Sequence, residues 1–262
     1  MDAPTSSGHD DWARRFGGIG RLYGEAALAR FQRAHVCVIG VGGVGSWAAE
    51  ALARSAIGEL TLMDLDHVAP SNINRQAHAL TDTLGMAKVD AMAERLLQIN
   101  PQLVIHRVEA FIEPDTVGQL LSTQLDYVVD AIDSLRAKAA LIAWCRRNKV
   151  PVVVSGGAGG KTDPTRIVVD DLSRTTDDPM ASKLRYTLRR QHGFAREGKF
   201  GVPCVFSTEP LIRPSAACDA SPASGHGLNC AGFGSVMSVT AGFGLAAAAQ
   251  VLRQLAQAAR QG

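Results

Sequence analysis

The chain has 262 residues, 46% of them hydrophobic, and a formal net charge of +2 at pH 7. That length and apolar content allow a full core, in one large domain or two small ones, with one domain plus an appended segment as the default. The near-balanced charge is too mild to announce a nucleic-acid protein and decides nothing globally, which leaves local clustering to weigh.

Residues 1–14 are polar, with Asp2, Asp10 and Asp11, and lack a basic stretch followed by an apolar core. They read as a flexible N-terminus without a secretory signal, which makes the expected compartment the cytoplasm. Phe31 to Ala34 lead into a first strand at 36–40, whose β-branched run suits a buried parallel strand. Gly40, Gly42 and Gly45 then give the G-x-G-x-x-G turn into a helix carrying Trp47, Ala51, Leu52 and Ala53. Unpaired N–H groups and the positive end of the dipole make such a helix start an anion site, and glycines let phosphate approach the backbone.

Gly58 punctuates that helix before a second strand at 60–64, which ends on Asp64. A carboxylate at this spacing accepts hydrogen bonds from ribose hydroxyls, so the first half of the site suits either NAD or ATP. Ser71 to Gln76 read as an irregular or short helical connection. A helix at 86–99 follows, with Lys88 in its opening turn as an exposed cleft cation and Asn100-Pro101 at its end. Strand 103–108, a helix near 114–121, strand 126–131, a helix at 135–148 and strand 150–154 continue the alternation. Asp130 and Asp133 flank a strand end, and either one faces the crevice or caps the next helix.

After Ser155 to Gly160 the pattern changes: a strand at 167–171, a basic helix at 180–191, a Gly, Pro and Ser-rich loop over 200–230, and a small-residue helix at 231–252. The last is uncharged and long enough to be weighed as a membrane span, yet its Gly, Ala, Ser and Gln250 favour a buried helix or an oligomer interface, with membrane association as the minor alternative. The fold class is therefore α/β: a Rossmann-like doubly wound, mainly parallel sheet with helices on both faces and a loop-rich C-terminal extension. The five cysteines, Cys37, Cys145, Cys204, Cys218 and Cys230, include no C-x-x-C pair, so neither a disulfide framework nor structural zinc is expected. Cys37 and Cys145 read as buried hydrophobes, leaving the later three as candidates for reactivity.

Gly40-Val41-Gly42-Gly43-Val44-Gly45, Asp64-Leu65-Asp66, Ser71-Asn72-Ile73-Asn74-Arg75-Gln76, Gly85-Met86-Ala87-Lys88 and Asp130-Ala131-Ile132-Asp133-Ser134, in that order, resemble the ubiquitin-activating-enzyme-like (ThiF-type) adenylating family. That resemblance implies an ATP-binding adenylation core over 15–160, with 161–262 completing the same domain. It implies Gly43 at phosphate, Asp64 at the ribose and Asn72 and Arg75 at phosphates, with Gly40, Gly42, Gly45, Asp66 and Ser71 among the nucleotide-binding residues. Lys88 is implied at the reacting phosphate, and Asp133, beside Ser134, near magnesium, with Arg75, Lys88 and Asp133 as the catalytic set. Joining a carboxylate to a phosphate brings anions together, which fixed cations and a metal must stabilise.

Segments at 15–24, 156–160 and 204–209 extend the resemblance over nearly the whole chain, toward the branch of the family that acts on threonylcarbamoyladenosine in tRNA. The implied reaction is ATP-dependent closure of the threonyl carboxylate onto the carbamoyl nitrogen, next to the anticodon, with formal loss of water. The same branch implies a cysteine desulfurase or sulfur acceptor as a partner, for which Cys204 and Cys230 are candidate thiols against a buried structural role, and the small-residue helix suggests a homodimer. The arginine that some relatives lend to the partner subunit is replaced by Gly18, with Arg15 and Arg21 nearby. The zinc-binding cysteine pairs of the carrier-activating members are missing, which counts against the alternative of activating a ubiquitin-like sulfur-carrier C-terminus. For an RNA contact, the richest segment runs from Lys183 to Lys199, with Arg185, Arg189 and Arg190 as cations and Tyr186, His192 and Phe194 for stacking.

Overall fold

The computed structural model describes residues 8–213 and 233–261. Two helices precede the first strand, α1 (Gly8–Tyr23) and α2 (Glu25–Gln32), separated by Gly24 at φ 94°. The first begins inside the stretch expected to be flexible. Its signal was an apolar stripe of Trp12, Phe16 and Ile19 at helical spacing, which packs on Leu28 of α2 and on Ala56.

The remaining elements are β1 (His35–Ile39), α3 (Gly45–Arg54), β2 (Glu59–Met63), α4 (Lys88–Ile99), β3 (Val104–Val108), α5 (Val117–Leu120), β4 (Tyr127–Asp130), α6 (Leu135–Asn148), β5 (Val152–Ser155), β6 (Ile167–Asp171), α7 (Pro179–Gln191), β7 (Pro203–Ser207) and α8 (Met237–Ala259). The strands form one sheet in the order β3-β2-β1-β4-β5-β7-β6, with every pairing parallel except β6 with β7. Alternate residues feed two cores. Val36, Val38, Leu60 and Leu62 lie with α2, α3, α4 and α8, whereas Cys37, Ile39, Val128 and Val154 lie with α6 and α7.

Strand β7 falls in the segment expected to be a loop. It pairs Val154 with Cys204 on one side and Val169 with Val205 on the other, so a short Cys-Val-Phe run becomes a central strand. Pro203 occupies its first position, where a missing N–H is tolerated, and that proline with Gly201 disguised the strand.

Helix α8 begins at Met237, six residues later than its expected start, and its small residues serve packing within the chain. A Cβ on Gly244 would lie 2.5 Å from the Val44 carbonyl oxygen and 2.8 Å from Ala48 N, so α8 crosses α3 at backbone contact. Phe243, Ala247, Val251 and Leu255 are buried in the same core. Of the two expectations for this small-residue stretch, the buried helix is the one seen within the chain. Among the described residues no helix is long and apolar enough to cross a membrane.

Candidate active site

The strand order reverses between β1 and β4, and the crevice beyond their carboxyl ends is where open α/β sheets receive ligands. The glycine turn sits there. Gly40 has φ 84°, and a Cβ on it would be 2.8 Å from the Ala131 carbonyl oxygen; a Cβ on Gly45 would be 1.8 Å from the Gly40 carbonyl oxygen. Those two glycines are demanded by the closure of the turn itself. Gly43 differs, since its Cβ would meet only side-chain atoms of Arg75, Cγ and Cδ at 3.2 Å, and Thr240 Cγ2 at 3.4 Å. No side chain caps the N-terminus of α3; Ser46 N is taken by the Gly42 carbonyl at 3.1 Å, and the positive end of the helix dipole stays open toward the crevice.

Asp64 braces this turn. Its Oδ2 accepts from Val41 N at 2.7 Å and its Oδ1 from Asp66 N at 2.9 Å. Burial pushes the Asp64 carboxyl up from its ordinary pKa, against the pull of Lys88 and the two amides. Lys88 opens α4 and is buried, where an exposed cation was expected. Its Nζ lies 2.6 Å from Asp66 Oδ2 and 4.0 Å from Asp64 Oδ1.

The segment after β2 makes a 3-10 turn at Pro70–Asn72 that Asn72 caps through Oδ1, accepting from Ala69 N at 3.0 Å. Arg75 leans over Gly43 and donates from Nη1 to the Ser71 carbonyl at 2.7 Å and to Asn74 Oδ1 at 3.0 Å. Half-burial lowers its pKa from the ordinary value, and no carboxylate within 4 Å answers its charge among the described residues. The Arg75 carbonyl accepts from Trp47 Nε1 at 2.9 Å, which ties this segment to α3. A half-buried guanidinium answered, among the described residues, by dipoles is suited to an anionic ligand.

The two aspartates at the β4 end have different roles. Asp130 shares the face of Val128 and turns into the core, 2.8 Å from Lys138 Nζ, with both side chains fully buried. Asp133 is exposed, three residues beyond, at the mouth of the crevice. Ser134, not an aspartate, caps α6 by accepting from Ala137 N at 3.5 Å.

Beyond β5 lies a part of the crevice absent from the expected site. Asp178 accepts from Gly157 N at 2.8 Å and caps α7 by accepting from Ala181 N at 2.9 Å. Glu209 accepts from Thr162 N, Thr162 Oγ1 and Asp163 N, and these donors hold its carboxyl below the usual range. Lys161 Nζ donates to the Asp177 carbonyl at 3.0 Å and to that of Glu209. A cleft of about 460 Å³ opens here, lined by Thr175, Asp177, Asp178, Ser182, Arg185 and Arg213 among others. The sequence signal for this half was the paired segments 156–160 and 204–209.

Other expected residues lie elsewhere. Arg15 is held by Asp11 at 2.7 Å and the Ile99 carbonyl at 3.3 Å, where α4 ends, which is the opposite edge of the sheet from the glycine turn. Arg21 is exposed on α1. Cys204 is fully buried in β7 and burial pushes its thiol up, which removes the thiolate character a reactive cysteine needs and corrects its candidacy. Cys37, with its thiol pushed up to about 12, and Cys145 are buried as expected; Cys218 and Cys230 lie outside the described residues.

On α7, Arg185 donates to Thr175, so it latches the helix while lining the cleft. Arg189 bonds the Ala195 carbonyl at 3.3 Å and lies 5.2 Å from the Phe200 ring, while Arg190 reaches Tyr186 Oη at 2.8 Å. Phe194 is buried against Phe200 and under Arg146, so it does not offer a stacking face; Tyr186 and His192 are exposed.

A family model described as the ThiF family matches residues 18–261. The tRNA threonylcarbamoyladenosine dehydratase of Escherichia coli (strain K12) is 53% identical to this chain, over 97% of it and 98% of the relative. The crystal structure of an E. coli tRNA N6-threonylcarbamoyladenosine dehydratase in complex with ATP is similar at a TM-score of 0.87 and 53% identity, covering 97% of this chain and 98% of that one. The corresponding complex with AMP gives 0.88 at 50% identity over all of both chains.

Proposed function

The chain belongs to the ThiF family, and we propose that it is an ATP-dependent enzyme that dehydrates threonylcarbamoyladenosine in tRNA to its cyclic form. The observation that carries this reading is 53% identity, over nearly the full length, to a dehydratase of that name, in a chain whose own crevice gathers Gly43, Asp64, Arg75 and Lys88 at the β1–β4 switch point. The solved relatives hold ATP, the substrate of carboxylate adenylation, and AMP, the group that an acyl adenylate releases when it is attacked.

The chemistry follows from the residues. Phosphates of ATP lie over Gly42 and Gly43 at the start of α3, with Arg75 above them and Asn72 and Ser71 beside them; the ribose meets Asp64 and Asp66. The threonyl carboxylate attacks the α-phosphorus and pyrophosphate leaves, while Lys88 exchanges Asp66 for the phosphate whose charge grows. The carbamoyl nitrogen then attacks the activated carbonyl carbon, loses its proton and expels AMP, so the net change is loss of one water. Because nucleophile and electrophile are tethered in one nucleoside, a high effective molarity does the work of a covalent enzyme intermediate. Magnesium, which neutralises phosphate charge, is assigned to Asp133, an exposed carboxylate at the mouth of the crevice that suits a hard, largely hydrated cation.

The nucleoside would enter along the β5 side, between Lys161, Asp178 and Arg213, and the anticodon arm would cross α7 at Lys183, Arg189 and Arg190. Arg146 and Arg147 at the end of α6 extend that cationic surface. A homodimer in the cytoplasm completes the reading, and a sulfur-transfer partner would have to act through Cys230 rather than Cys204. The test is nucleoside mass spectrometry of tRNA carrying threonylcarbamoyladenosine after incubation with protein, magnesium and ATP. Loss of one water only when ATP is present supports the reading, and released AMP identifies the adenylate; an unchanged nucleoside with folded, ATP-binding protein overturns it.

A further inference from the structure

At the edge of the sheet opposite the crevice, three side chains with no task in the reaction converge. His35 and Glu59 are the first residues of β1 and β2 and pair in register, and His106 of β3 pairs with Thr61, two residues on from Glu59. The period of two therefore sets His35, Glu59, Thr61 and His106 on one face. Glu59 Oε1 lies 3.4 Å from His35 Nδ1 and 2.7 Å from His106 Nε2, and one ligand atom from each of the three falls within 4.8 Å of the others.

We propose that His35, Glu59 and His106 form a binding site for a zinc-class divalent cation. Two imidazoles and one carboxylate are a donor set that such ions take, with a water in the fourth position. The second shell is already built. His35 Nε2 lies 2.8 Å from Thr61 Oγ1, so the ring can donate there and leave Nδ1 unprotonated toward Glu59, the orienting contact that metal-bound histidines use. Asp126, accepting from His35 N at 2.8 Å and paired with Arg30, adds negative charge behind the ring. Ligand atoms around tetrahedral zinc sit roughly 3.3 Å apart, so His35 and Glu59 are near their bound separation. Only His106, half exposed, must turn, and that exposure is the way in. A bound ion would cross-link β1, β2 and β3 at their N-terminal edge, away from the nucleotide.

The experiment is a calorimetric titration of the full chain, freed of metal with a chelator, with zinc chloride, alongside thermal unfolding. One zinc per chain, a rise in Tm on addition, and binding at least about ten-fold weaker in His106→Ala and Glu59→Gln are expected, with ATP affinity unchanged in both variants. His106→Ala is the main variant because its side chain is half exposed and leaves the core intact. Folded wild-type protein that takes up no stoichiometric zinc, or variants that bind it as tightly as wild type, would overturn the site.

Discussion

Lys88 Nζ is 2.6 Å from Asp66 Oδ2 while its stem is buried against the sheet. The cation is thus parked on an exposed carboxylate at the lip of the crevice, from which the proposed reaction requires it to turn to a phosphate. Burial also makes Lys88 the counter-charge to Asp64, whose pKa desolvation already raises. Lys88→Ala should therefore lose cyclisation by on the order of 100- to 1,000-fold, with a modest stability change because Asp64 keeps its two amide donors. Turnover by the nucleoside assay, with circular dichroism as the fold control, checks this. Near-wild-type turnover in a folded variant would remove Lys88 from the reacting phosphate.

The glycine turn separates binding from folding. At Gly43 an added Cβ meets only the flexible stem of Arg75 and Thr240 Cγ2, whereas at Gly45 it would meet a carbonyl oxygen at 1.8 Å. Gly43→Val should leave Tm nearly unchanged and abolish ATP binding by displacing Arg75 and filling the phosphate approach. Gly45→Ala should instead cost about 3 kcal/mol or more, a fall in Tm of roughly 6–12 °C. Thermal unfolding and an ATP titration on both variants decide it; the opposite pattern would mean that phosphate lies elsewhere.

Signals carried by contiguous residues were legible in the sequence: α6 spans 135–148 and β6 spans 167–171 as expected, and the glycine turn, Asp64 and Lys88 converge because each follows or opens an element at the same sheet edge. What escaped depends on distant partners. Strand β7 exists because β5 and β6 flank it, and a five-residue run starting with proline carries too little period to announce that. Asp130 and Asp133 are equivalent in a motif, yet alternation along β4 sends the first inward to Lys138, which only the packing of α6 reveals. Lys88 looked solvated because its burial comes from the sheet rather than from its own helix.

His78 is buried with both ring nitrogens unpartnered, and burial, aided by the charges of Lys88 and Arg95, lowers its pKa from 6.5 to about 4. The unfolded chain therefore binds a proton between those values that the folded chain refuses, so its contribution is complete above pH 6.5 and is lost as pH falls toward 4. Between pH 7 and 4.5 this one group should cost roughly 2–3 kcal/mol. In His78→Leu, which removes two unsatisfied polar atoms, that part of the acid loss should disappear. Urea midpoints at the two pH values measure it, and equal acid loss in both proteins would refute the assignment.

On α7 the arginines differ in what they hold, so they should fail differently. Arg185 is committed to the carbonyl and hydroxyl of Thr175, a connection between α7 and the turn that leads to the β5-side cleft. Arg185→Ala should lose about 1.5–3 kcal/mol from hydrogen bonds to a charged group. Lys183 and Arg190 are exposed, and among the described residues Arg190 bonds the neighbouring Tyr186. The double variant Lys183→Ala/Arg190→Ala should keep its Tm and its ATP affinity while tRNA binding weakens. Each phosphate contact removed should reduce the slope of log affinity against log salt by about 1. Tyr186→Ala should weaken binding with no change in that slope, since stacking releases no counterions. Filter binding or fluorescence anisotropy across a salt series distinguishes these effects, and an unaltered slope in the double variant would move the RNA path off this helix.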